Sequence, residues 1–189
     1  MIISLQPHPL TSWYPATLLS RLGADARTRS WLQTPSSLTQ RIRQYCPQMR
    51  VKVLFQGLSQ PNSDERLWLK LPAGQRVWMR EVLLQCDQQN WVYARTVIAN
   101  FTPGNPWLSL QTLGTQPLGE ILFEQRNIQR SALVFQRYAY QLPIESSSAL
   151  ARRSCFIQRG QAHYPLLLTE VFLEPLPITL SQGASRAPN

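Results

Sequence analysis

Two neighbouring runs constrain this chain more than anything else in it. "RVWMREVLLQC" (76–86) and "WVYARTVIANF" (91–101) are each dense in β-branched, aromatic and leucine side chains, and only "DQQN" stands between them. Four polar residues leave room for a reversal and nothing more, so the pair reads as an antiparallel hairpin. A second hairpin follows the same plan: "RRSCFIQR", a "GQAHY" loop and "YPLLLTEVFLEPL" (164–176). Two long apolar hairpins commit the chain to an antiparallel sheet that must be covered on at least one face.

Period 2 then sorts the side chains by face. Trp78, Arg80, Val82 and Leu84 share one face of their strand; Trp91, Tyr93, Arg95 and Val97 share one of theirs; Leu166, Leu168, Glu170 and Phe172 form a third such row. Each row is apolar except for a single charge at its centre. A charge among leucines costs several kcal/mol unless something pairs with it. Two readings stay open. Glu170 pairs with Arg80 or Arg95 under a solvated face, or two cations and one carboxylate line a closed pocket for a small anionic ligand. Arginine suits carboxylate recognition, because its planar fork donates two parallel hydrogen bonds.

Elsewhere the pattern predicts short helices. "PATLLSRLGA" reads as a helix ended by Gly23 within a loop-rich first 35 residues. Ser37 with Gln40 three positions on reads as a capping box, opening a helix that runs to Pro47. Free backbone N–H groups follow at Leu38, and again near Leu118, where Thr115 is expected to cap "QPLGEILFE". Strands are expected at "RVKVLFQG" and "QRSALVFQRYAY", a turn at "SQPNSDE", and a short strand or loop at "RLWLKLPAGQ". The sum is an α+β fold: one domain over 1–178, about six antiparallel strands with helices on one side, and a loose tail at 179–189.

Bulk properties exclude several classes. No apolar run approaches the ~20 residues of a membrane span, and the proline-broken start lacks the basic region of a signal peptide. Cys46, Cys86 and Cys155 have neither metal-ligand nor disulfide-framework spacing, so no metal and no cofactor are expected. His8 and His163 have no partner pattern for catalysis. The charge of +9 comes from 17 Arg and 2 Lys scattered in ones and twos. That argues for solvated faces rather than a nucleic-acid surface. A monomeric cytoplasmic protein is the expectation.

Three blocks, in order, carry a resemblance. "VWMREVLLQC…WVYARTVIAN", "LGTQPLGEILFE" and "ARRSC…PLLLTEVFLEPL" resemble the chorismate lyase family from about Trp31 to Pro177, with residues 1–30 poorly matched. The resemblance implies a single α+β domain with helical flaps over a buried site. It also implies conversion of chorismate to 4-hydroxybenzoate and pyruvate, the first step of ubiquinone synthesis. On that pattern Arg80 would hold the ring carboxylate with the backbone N–H of Leu118. Glu170 would meet the 4-hydroxyl beside the backbone of Leu38. Arg95 and Arg153 are the expected partners of the side-chain carboxylate and ether oxygen. A non-catalytic binder of aromatic acids with the same pocket is the alternative.

Overall fold

The structure is a computed structural model that describes residues 13–142 and 145–173. The expected loose tail at 179–189 and His8 lie outside the described residues. Seven strands form one antiparallel sheet: β1 (Arg50–Ser59), β2 (Val77–Cys86), β3 (Gln89–Ile98), β4 (Ile128–Arg130), β5 (Val134–Leu142), β6 (Glu145–Gln158) and β7 (Leu166–Phe172). Their order is β1-β2-β3-β7-β6-β4, and β5 pairs with β6 as well. The count exceeds the expected six because "QRSALVFQRYAY" divides into β4 and β5. Ser131 leaves the ladder between them: its N–H donates to the Cys155 carbonyl and its hydroxyl accepts from the Cys155 N–H.

Both hairpins form. The first closes more tightly than "DQQN" suggests, since Cys86 pairs with Gln89 and only Asp87 and Gln88 make the turn. Both adopt positive φ (48° and 67°), which a two-residue turn needs if its twist is to match the strands.

Four α-helices are added: α1 (Ala26–Leu32), α2 (Leu38–Tyr45), α3 (Ser63–Leu69) and α4 (Leu118–Glu124). Ser37 caps α2 as expected, its hydroxyl accepting from the Gln40 N–H at 3.3 Å. Three expectations are corrected. "PATLLSRLGA" makes only a 3-10 turn at Ala16–Leu18 before Gly23, and the true helix, α1, starts after an Asp25 cap. Thr115 does not cap α4; Pro117 is its N-cap residue and no side chain caps it. The polar "SQPNSDE" is the start of α3, where the Asn62 N–H donates to the Glu65 carboxylate at 2.8 Å.

The helices divide between the two faces. On the front, α1, α2 and α4 bury Leu32, Leu38, Ile42 and Leu122 against Val82, Ile98, Leu166 and Phe172. On the back, α3 and the turn after it lay Trp68, Leu69 and Leu71 over Val77, Met79, Val97 and Leu167. The sheet is therefore covered on both sides rather than one.

Candidate functional site

Cross-strand register decides which charged residues meet. Arg80 lies opposite Thr96, Thr96 opposite Leu168, and Leu168 opposite Ser154. The next row of the same face runs Val82, Ala94, Glu170, Arg152. Paired residues project to the same side, so Arg80, Glu170 and Arg152 all point to the front, beneath α2 and α4.

Arg80 is 2% exposed. Its Nη2 donates to the carbonyls of Gly114 (2.8 Å) and Gln116 (3.2 Å), in the turn leading into α4. It pairs with no carboxylate among the described residues, and its buried Nε has no partner. Burial pulls its pKa below the usual arginine value. A desolvated cation whose only partners are neutral carbonyls is poised for an anion.

Glu170, 8% exposed, accepts from Arg152 Nε at 2.6 Å. Arg152 is 1% exposed and its Nη1 donates to the Leu32 (3.3 Å) and Thr34 (2.9 Å) carbonyls. The pair therefore anchors the link between α1 and α2 over the sheet. Arg152 escaped the sequence reading although its signal was present: it shares period-2 parity with Phe156, a core residue of the same strand.

The two helix starts converge on this face. Leu38 and Leu118 are the first residues of α2 and α4 and are both buried. Gly119 lets them approach: a Cβ there would lie 3.0 Å from Ser37 Oγ and 3.1 Å from Thr39 Oγ1. Arg43 of α2 and Glu120 of α4 form an ion pair across the same junction.

Arg95 and Arg153 lie elsewhere. They occupy a row with Glu81 and Thr169 that projects to the back. Arg95 is held by both oxygens of the fully buried Glu65 (2.7 and 2.9 Å) and by Glu81 (2.5 Å). Burial alone would lower its pKa, but the hydrogen bonds and charges of Glu65 and Glu81 raise it well above the usual value. Arg153 donates to Thr169 Oγ1 (2.8 Å), lies 2.8 Å from an Asp64 oxygen, and stacks 4.1 Å from the Trp13 ring. Both arginines fasten α3 and the N-terminal segment to the sheet. The expected pocket of Arg80, Arg95 and Glu170 is corrected on this point. The physical reason is α3, whose adjacent Asp64 and Glu65 were read as part of a turn.

The cysteines also depart from expectation. Cys46, at the end of α2, is disulfide-bonded to Cys86, at the end of β2. Cys155 is free and buried, and desolvation pushes its thiol up to about 12. The one grouping of possible metal ligands among the described residues, Cys46, Cys86 and Asp87, has its two sulfurs bonded to each other. Among the described residues no helix is long and apolar enough to cross a membrane.

Among the described residues, the antiparallel sheet thus buries an arginine without a carboxylate partner and an anchored glutamate beneath two helix starts, in an α+β domain. Comparison with known proteins narrows that class. The chorismate lyase family profile matches residues 10–180, further toward the N-terminus than the motifs alone suggest. The chain is 43% identical over 176 residues to a probable chorismate pyruvate-lyase of Hydrogenovibrio crunogenus, covering 89% of this chain and 91% of that one. It is 34% identical over 175 residues to a chorismate pyruvate-lyase of Pectobacterium atrosepticum, covering 91% and 89% respectively. The chain belongs to the chorismate lyase family. Among solved structures, the C-terminal domain of PhnF shares the fold, with a TM-score of 0.51 at 17% identity over 65% of this chain and 80% of that one.

Proposed function

We propose that the protein cleaves chorismate to 4-hydroxybenzoate and pyruvate, the first step of ubiquinone synthesis, with Arg80 and Glu170 holding opposite ends of the ring. The observation that carries this reading is the relative placement of those two residues. They sit two strands apart with a two-residue offset, about 12 Å between Cα atoms from ~4.8 Å strand spacing and ~3.4 Å rise. An arginine and a glutamate reaching inward from such a separation leave room between them for a para-substituted ring. Arg80 takes the ring carboxylate and Glu170 the 4-hydroxyl. The first-turn N–H groups at Leu118 and Leu38, which helical bonding leaves without acceptors, assist at the two ends.

The chemistry follows from the substrate. Chorismate carries an enolpyruvyl ether at C3 and a hydrogen at C4. Breaking C3–O sends that electron pair to oxygen, which becomes the keto oxygen of pyruvate. The C4 hydrogen moves to the enolpyruvyl methylene, which becomes the pyruvate methyl group, and the C4–H electrons complete the aromatic ring. The transfer is internal and needs no protein base, no metal and no cofactor. The protein acts by holding a reactive conformer in a dry site and stabilising the departing oxygen. A site that pairs the polar groups of 4-hydroxybenzoate should also release that product slowly.

The protein is read as a monomer acting in the cytoplasm without nucleic acid. In that reducing compartment Cys46 and Cys86 would work as a dithiol. The test is ultraviolet detection of chorismate turnover by purified protein, with 4-hydroxybenzoate and pyruvate expected in equal amounts. Binding of 4-hydroxybenzoate with no turnover would instead establish a non-catalytic binder.

A further inference from the structure

The reading above leaves one carboxylate without a partner. Chorismate is a dianion: one carboxylate is on the ring and the other on the three-carbon ether. Arg95 and Arg153, which the sequence suggested for the second, face the other way and are committed to Glu65, Glu81 and Asp64. Resting on that reading, we propose that Arg130 binds the enolpyruvyl carboxylate and so sets the position of the ether arm beside C4.

Geometry carries the assignment. Arg130 ends β4 opposite Phe156, a front-face core residue. Its Nε donates to Ser154 Oγ at 2.9 Å. Ser154 is the far end of the row that begins with Arg80 and runs through Thr96 and Leu168. The two guanidiniums therefore flank one transverse row of the sheet, and Glu170 sits in the adjacent row between them. Ala94, the smallest front-facing side chain of β3, lies opposite Glu170. A side chain no larger than a methyl group at this point takes up the least of the space beside Glu170.

Chorismate has the matching outline, with the ring carboxylate at C1, the ether arm at C3 and the hydroxyl at C4. A ring placed with its carboxylate on Arg80 and its hydroxyl on Glu170 can point its C3 arm toward β6 and β4, where Arg130 waits.

Charge and saturation agree. Among the described residues, the buried or half-buried charged side chains that strands bring to the front are Arg80, Arg130, Arg152 and Glu170. Three guanidiniums against one carboxylate leave an excess of two positive charges, which a dianion would neutralise. Arg152 is spent on Glu170 and two backbone carbonyls.

Arg130 has only neutral partners at hydrogen-bonding distance, Ser154 Oγ and the Pro35 carbonyl (3.1 Å). Among the described residues it pairs with no carboxylate. The rings of Phe123 and Phe156 hold its guanidinium at 5.2 and 5.4 Å, so its position is fixed without neutralising it. Burial depresses its pKa to about 10, with Glu170 opposing that shift and Arg152 adding to it. It is thus fully charged at neutral pH and shares an electrostatic neighbourhood with the glutamate.

The test exploits the fact that 4-hydroxybenzoate lacks this carboxylate. Arg130→Met should lower kcat/KM for chorismate about 10- to 100-fold while leaving the Kd for 4-hydroxybenzoate within twofold of wild type. Unchanged product binding also certifies the fold. Arg130→Lys should recover part of the loss, because it restores the charge but not the fork.

A turnover-free probe, 3-(carboxymethoxy)-4-hydroxybenzoate, should bind wild type more tightly than 4-hydroxybenzoate does and lose that advantage in Arg130→Met. Near-wild-type kcat/KM in Arg130→Met overturns the proposal, as does an equal loss of product and substrate binding in both variants. If wild type does not turn chorismate over, the lyase reading fails instead, and the probe comparison still decides whether Arg130 binds a second carboxylate.

Discussion

Arg80→Met separates catalytic from structural roles in one variant. In the free protein Arg80 is a buried cation with two backbone carbonyls for company and an unpartnered Nε. Methionine of similar length removes two charged-donor hydrogen bonds, each contributing about 1.5–3 kcal/mol at most. The carbonyls of Gly114 and Gln116 belong to exposed residues, so water can replace the guanidinium and the loss falls at the low end. Removing a desolvated charge returns a similar amount, since exchanging buried ions for apolar groups is often neutral or stabilising. Unfolding free energy should therefore stay within about 2 kcal/mol of wild type.

Ligand binding should behave differently. At a 4-hydroxybenzoate concentration 100 times its Kd, wild type gains about 2.7 kcal/mol. That corresponds to a Tm rise of roughly 5–10 °C for a chain of this size. Arg80→Met should show almost none of this rise and should lose about one to two decades or more in kcat/KM. Urea unfolding, thermal scans with and without product, and ultraviolet turnover read all three quantities. A variant destabilised by more than about 4 kcal/mol that keeps the product-induced rise would refute the reasoning, because Arg80 would then be a structural strut.

Four further outcomes follow from particular contacts. Glu170→Gln should lose about tenfold in turnover if the carboxylate only orients the hydroxyl, against ~10²–10⁴-fold for a general base, and deuterium from C4 should appear in the pyruvate methyl group rather than in water. Gly119→Ala should force α2 and α4 apart; overpacking of about 1–3 kcal/mol is partly offset by ~1 kcal/mol of helix propensity, so activity should fall more than stability, as parallel kinetics and unfolding would register. Cys155 keeps its proton in the folded state to about 12 against an ordinary value of 9.0; the unfolded chain gives that proton up first, so stability is lost as pH rises from about 9 to about 12, and Cys155→Ala should flatten that part of the profile. Reducing the Cys46–Cys86 link, whose 40-residue separation corresponds to about 4 kcal/mol of loop entropy, should lower the urea midpoint of oxidised protein.

Much of the sheet was legible because its strands are long and their apolar periods unambiguous. Both hairpins and the identity of Arg80 and Glu170 as anomalous charges came directly from alternation. The α3 helix did not, because seven residues give barely two turns of apolar signal and its polar first turn imitates a loop. Losing α3 had a second effect. Without Asp64 and Glu65 above the back face, Arg95 looked unpaired and was drawn into the site. Parity along β6 could have rescued Arg152, since it shares a face with Phe156, but the adjacent arginines at 152 and 153 made either choice plausible by composition alone. Arg130 was hidden for another reason: β4 is three residues long, too short for any period to reveal which way its side chains point.

The division of charge between the two faces has an electrical consequence. On the back, Arg95 and Arg153 are held against the carboxylates of Glu65, Glu81 and Asp64, so the positive charge there is neutralised in place. On the front the excess is positive. The cations without carboxylate partners among the described strand residues are thus gathered on the front face of the sheet, where the proposed site lies. In physiological salt the Debye length is about 8 Å, so the scattered exposed arginines are largely screened from an approaching anion, whereas buried Arg80 and Arg152 and half-buried Arg130 are screened less. Ionic strength should therefore alter kcat/KM only weakly, despite a formal charge of +9.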